Sequence, residues 1–115
     1  MKTDLLAFEV IGNSMDNGTR SSFEEGDRLI VRPFDINDFR NAIGNDLNTF
    51  WIIEINQSTL FKQIIEYDSK YDMIKCHSLN TNGQYPDAFI KIEDITKVYR
   101  VVQVLYKPIN IGESS

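Results

Sequence analysis

The chain has one cysteine, one histidine and no excess of basic residues, and each shortage closes off a class of function. Cys76 is the only cysteine, so no disulfide can form within the chain. One His and one Cys are too few soft ligands for a zinc site, and neither a metal nor any other cofactor is expected. Lys and Arg number 12 against 17 Asp and Glu, which gives a formal net charge of -5 and a pI near 4.7. Neutralising nucleic-acid phosphates takes clustered basic groups, and this sequence has no such cluster. If the protein acts on DNA, the DNA-binding part is expected elsewhere. No stretch approaches the roughly 20 apolar residues that a membrane helix requires. Met1 to Leu6 lacks the apolar run of a signal peptide. No membrane partner is therefore expected, and a reducing cytoplasm is the expected location. Internal repeats and low-complexity segments are also lacking.

What remains is an ordinary globular composition. The 115 residues are 42% hydrophobic and 25% charged, which suits one domain with a modest core. Short β-rich runs alternate with turn signals. Strands are expected at Leu6 to Ile11 and at Arg28 to Arg32, the second stopped by Pro33. Between them, Asn13 to Asp27 reads as a long turn region. Asp35 to Ile43 suits one or two helical turns. Phe50 to Asn56 and Leu60 to Tyr67 read as a hairpin around Gln57–Thr59. Further strands are expected at Met73 to Ser78, Ala88 to Ile92 and Thr96 to Tyr106, with a loop over Asn80 to Asp87. Pro108 to Ser115 reads as a loose tail, leaving residues 1–107 as the domain. The fold class is mostly β: a barrel or sandwich of short strands with a hairpin and little helix. Ile52, Ile53 and Ile55 are apolar on both faces of their strand, as are Val101, Val102 and Val104. Such strands should be buried on both sides, or buried on one and at a subunit contact on the other.

Two residues stand out chemically. In Phe8-Glu9-Val10-Ile11-Gly12-Asn13-Ser14-Met15, a serine follows a strand end and a Gly-Asn pair that tolerates unusual backbone angles. A sharp turn there could aim the Ser14 hydroxyl and nearby backbone N–H groups at one point, as an acyl-transfer nucleophile and its oxyanion hole require. Taken alone, the fragment is more simply an ordinary turn serine. A nucleophilic serine needs a base. His77, the only histidine, sits in a strand pattern out of phase with Cys76 and reads as a partly buried strand residue. Lys62 is the better base. In Leu60-Phe61-Lys62-Gln63-Ile64, alternation puts Lys62 on the face of Leu60 and Ile64, where lost hydration would lower its pKa. Taken alone, a lysine whose ammonium reaches out to water is the simpler reading. Glu24-Glu25-Gly26-Asp27 lacks calcium-loop spacing and reads as a solvated turn. Asn17-Gly18-Thr19 and Asn56-Gln57-Ser58 match a glycosylation pattern that means little without a secretion signal.

In combination these segments resemble the LexA and phage-repressor family of Ser/Lys peptidases. The resemblance rests on Phe8-x-Val10-x-Gly12-Asn13-Ser14-Met15 followed by Gly26-Asp27-x-Leu29-Ile30-Val31. Phe61-Lys62-Gln63-Ile64 looks like the family's lysine strand. Cys76-His77-Ser78-Leu79-Asn80 with Tyr85-Pro86 is similar to its S-x-N…Y stretch, and Ile95 to Val104 to its last strand. These blocks run in order over roughly residues 8 to 105. The resemblance implies a LexA-like, signal-peptidase-like β fold with Ser14 as nucleophile and Lys62 as general base. The oxyanion hole would be the backbone N–H groups of Ser14 and Asn13. It further implies self-cleavage at a small-residue–Gly bond, promoted by RecA filaments in the SOS response. A homodimer would carry N-terminal domains to operator DNA in the bacterial cytoplasm.

The chain departs from the family pattern in three ways. Asn13 stands where Asp is common. Ser14 and Lys62 lie 48 residues apart, a long separation attributed to a loop around Asp35–Thr49 that covers or reshapes the site. Only 13 residues precede Ser14, with no Ala-Gly or Cys-Gly pair among them, so a fragment of a longer protein is expected. The alternatives are a non-cleaving dimerisation module of a repressor and a translesion-polymerase subunit of the same fold. Type I signal peptidase shares the chemistry, but this chain is short, acidic and without an anchor.

Overall fold

A computed structural model describes residues 4–12, 14–19, 22–80 and 84–106. The order of elements is β1 (Leu6–Glu9), β2 (Arg28–Phe34), α1 (Ile36–Asn45), β3 (Thr49–Ile55), β4 (Ser58–Asp68), β5 (Met73–His77), β6 (Ala88–Lys91), a 3-10 turn (Ile92–Asp94) and β7 (Ile95–Leu105). The protein is mostly β, as expected. The strands form one antiparallel sheet of seven in the order β1-β2-β7-β3-β4-β5-β6. The sheet is not a closed barrel: β1 and β6 are its two edges.

Alternation along the central strands builds a core on each face. Trp51 and Ile53 of β3 join Phe39, Ile43, Ile64, Ile74, Cys76 and Val98 in one cluster. Ile52, between them, joins Val10, Met15, Phe23, Leu29, Val31 and Tyr99 in the other. β3 is thus buried on both sides, which explains its unbroken apolar run. β7 is divided. Its first half lies between β2 and β3. Past the pair Trp51–Arg100 it is paired with β2 alone, and among the described residues no strand pairs with the other side of residues 101–105.

Several elements differ from the sequence reading, β1 among them, which ends at Glu9 and not at Ile11. β2 runs through Pro33 to Phe34. Pro33 lies beyond the last β1 pair, Leu6–Val31, where β2 has a neighbour on one side only and a missing N–H is tolerated. The hairpin turn is Asn56-Gln57, with Ile55 paired to Ser58 and Asn56 at φ 51°. Residues 36–45 form a complete helix of 10 residues. The Asp35 carboxylate accepts the Asp38 N–H at 2.8 Å, and Phe39 and Ile43 are fully buried. Arg40 ties the helix to the turn before β5 through Asp72, at 2.7 Å. The expected tail, 108–115, lies outside the described residues.

Candidate functional site

The Ser14 turn is built from two facing segments. Beyond β1 the chain keeps its pairing with the approach to β2. Val10 N–H donates to the Asp27 carbonyl at 2.8 Å, and Gly26 N–H to the Val10 carbonyl at 3.0 Å. Gly12 then adopts φ +77°, a left-handed angle that a side-chain-bearing residue reaches only at a cost. A Cβ there would meet nothing within 4 Å, so glycine serves the turn and not a close approach. Past Ser14 the turn is anchored from beneath. Met15 is 1% exposed, and its carbonyl accepts the Phe23 N–H at 2.8 Å. Phe23 is buried edge-on against Phe50 and Phe61, with ring centroids 4.9 and 4.8 Å away.

Ser14 and Lys62 line one cavity of about 190 Å³, together with Val10, Gly12, Met15, Thr59, Leu60 and Phe61. The two residues singled out in the sequence thus meet in a small, largely apolar recess. Lys62 stands opposite Trp51 in the β3–β4 ladder, two residues from the buried Ile64. Loss of hydration there lowers its pKa from the ordinary 10.5, with Cys76 acting weakly the other way. Burial pushes the Cys76 thiol up to about 12, so it stays neutral beside the lysine. Lys62 Nζ donates to Ser78 Oγ at 2.5 Å. Ser78 is 2% exposed, and its segment also grips the Ser14 turn, since Asn80 N–H donates to the Ser14 carbonyl at 2.8 Å. The stretch Ser78-Leu79-Asn80 therefore connects lysine and serine. In the sequence this stretch carries part of the resemblance, but nothing there gives Ser78 a role. A buried hydroxyl in phase with Lys62 across two strands was the available signal, and it depends on a register that sequence does not state.

Other expectations came out differently. Residues 35–49 contribute nothing to the cavity; the helix they contain packs into the cluster around Trp51. The long Ser14–Lys62 separation is thus taken up by α1 and not by a cover over the site. Asp27 is not solvated: it is 2% exposed, and its carboxylate accepts the Glu24 N–H at 2.9 Å, closing the turn before β2. His77 does have a carboxylate partner, Asp87, with Nδ1 and Oδ1 at 2.6 Å. That pair is partly exposed on β5, and His77 is not among the residues lining the Ser14 cavity. Asn13, named as a second oxyanion donor, lies outside the described residues.

A wider groove of about 500 Å³ lies along Leu47, Tyr67, Ser69, Lys70, Lys75 and Phe89. Among the described residues no group of three or more His, Cys, Asp or Glu is placed to hold a metal, and no helix is long and apolar enough to cross a membrane. No protein-family model matches this chain, and no curated protein matches it either.

Proposed function

We propose that this domain is a Ser/Lys endopeptidase of the LexA-like, self-cleaving kind, with Ser14 as nucleophile and Lys62 as general base. The observation that carries the reading is the single small cavity shared by the Ser14 turn and a desolvated lysine. Burial disfavours the ammonium form, so the neutral amine is more available than in an exposed lysine. In the first step Lys62 takes the Ser14 proton and Ser14 Oγ attacks the scissile carbonyl carbon. The charge on the carbonyl oxygen is held by backbone N–H groups, those of Ser14 and Asn13 in this proposal. Collapse breaks the C–N bond, and the ammonium of Lys62 returns its proton to the leaving amine. Water, deprotonated by Lys62, then attacks the acyl carbon; the C–Oγ bond breaks, the acid product leaves, and the Lys62 ammonium returns its proton to Ser14 Oγ. Ser78 holds Nζ in place through the hydrogen bond described above.

The same domain is proposed to form a homodimer, and the support is the side of residues 101–105 in β7 that no described strand pairs with. Val102 and Leu105 are 44% and 46% exposed on that half-paired strand. An unpaired strand edge with apolar side chains favours pairing with a second copy. A non-cleaving dimerisation module would use this edge equally, and it differs only at Ser14. RecA filaments, operator DNA and a bacterial cytoplasmic setting belong to the same proposal.

The test is covalent labelling of the full chain by a serine-directed fluorophosphonate, followed by mass spectrometry from neutral to alkaline pH. Labelling confined to Ser14, rising with pH and lost in Ser14→Ala and Lys62→Ala, is the expected result. A folded protein that is not labelled at any pH would leave the dimerisation module as the function.

A further inference from the structure

We propose that Glu25 is a positioning residue for the nucleophile: by accepting the Gly12 N–H, its carboxylate fixes the turn that presents the Ser14 hydroxyl to Lys62. The inference rests on the Ser/Lys peptidase reading above.

Among the described residues of the apex, Ile11 and Gly12 are not held by packing. Ile11 is 82% exposed, and a Cβ at Gly12 would find open space. On either side the chain is secured: Val10 pairs with Asp27 and Gly26, and the Ser14 and Met15 carbonyls accept N–H groups from Asn80 and Phe23. Between these anchors, the described hydrogen bond is from Gly12 N–H to Glu25 Oε1, at 3.0 Å. Gly12 can occupy both halves of φ space, so an untethered apex would sample several arrangements of the following peptides. Those peptides carry Ser14 and the N–H groups assigned to the oxyanion hole.

Glu25 is well placed to supply the tether. The Glu24–Asp27 turn is closed by the Asp27 N–H to the Glu24 carbonyl, at 3.0 Å, and by the buried Asp27 carboxylate on the Glu24 N–H. Glu25 therefore projects from a rigid turn, itself bonded to Val10, back toward the apex. Its side chain does not line the cavity, so it acts on Ser14 through the backbone and touches no substrate. A carboxylate acceptor makes a stronger bond to a backbone N–H than a neutral one does, which suits an exposed position.

Fluorophosphonate labelling of the full chain is measured for wild type, Glu25→Ala and Glu25→Gln, with thermal unfolding and amide hydrogen exchange at Gly12 alongside. Glu25→Ala should slow labelling roughly 3- to 10-fold, the range that loss of one net hydrogen bond allows. Its Gly12 amide should exchange faster, while its unfolding midpoint and the midpoint of its pH–rate curve stay near wild type. Glu25→Gln keeps an acceptor oxygen and should label within about twofold of wild type. Wild-type labelling in Glu25→Ala would overturn the inference and leave the peptidase reading standing. So would Glu25→Gln labelling as slowly as Glu25→Ala, because the tether itself would not be what matters. A wild type that is never labelled overturns both.

Discussion

At the scale of single residues, the proposed Ser/Lys chemistry depends on how far water is kept from Lys62. Its pKa is depressed in the folded state, so between the folded and unfolded values the unfolded chain binds more protons. Charging Lys62 in place therefore costs stability at low and neutral pH. The cost is relieved as pH rises through the folded pKa toward the ordinary 10.5. Lys62→Met removes that titration. Wild type should gain stability relative to Lys62→Met as pH rises, whatever offset the lost Ser78 bond introduces. Thermal unfolding of both proteins from neutral to alkaline pH checks the sign, and a constant difference would mean that Lys62 is fully hydrated. Alternation was enough to put Lys62 beside the apolar Leu60 and Ile64. It was not enough to give the partner that holds the lysine. Ser78 lies 16 residues further along, and only the β4–β5 register brings its hydroxyl to Nζ.

Elements show where local pattern suffices and where it stops. α1 begins at Asp35, whose side chain satisfies an N–H that the helix leaves free. Asp35→Ala should lower the stability of the chain by about 1 kcal/mol, the usual worth of such a cap. Phe39 is 0% exposed and lies edge-on to Trp51 at 4.8 Å, so Phe39→Ala should cost about 3–5 kcal/mol. Urea unfolding should resolve both as shifts in midpoint at unchanged slope. Neither variant should alter Ser14 labelling while the chain stays folded, since α1 lines no part of the cavity. Helical turns were expected from Asp35, and the helix does start there. Its length was not readable, because Asn41, Gly44 and Asn45 are weak helix formers and burial of one face sustains the last turn.

For the whole molecule, the strand order decides what is free to meet a partner. The last strand, apolar on both faces at Val101, Val102 and Val104, was expected to be buried on both sides or to meet a second subunit on one. It lies in the middle of the sheet, and only its residues 101–105 have a side that no described strand pairs with. A dimer formed there would place Val102 near its copy. Val102→Lys sets like charges close together and should weaken the dimer at least about 10-fold, with little change in the fold of each subunit. Sedimentation over a range of concentrations would show it. A wild type that stays monomeric at micromolar concentration would remove the dimer from the proposed function.

The sequence by itself determined the properties that repeat every two residues or sit within one turn. These include the mostly β class, the doubly apolar β3, the angle-tolerant Gly12 before Ser14, helical turns from Asp35 and the placement of Lys62 beside Leu60 and Ile64. Each follows from neighbours a few residues away, where alternation and backbone preference act directly. Tertiary structure alone decided the rest. It buried Asp27, paired His77 with Asp87, set Ser78 against Lys62, sent the 35–49 segment away from the cavity and put β7 between β2 and β3. All of these are meetings of distant segments. They depend on strand order and register, which are settled when the whole chain buries its apolar faces together and which no local stretch encodes.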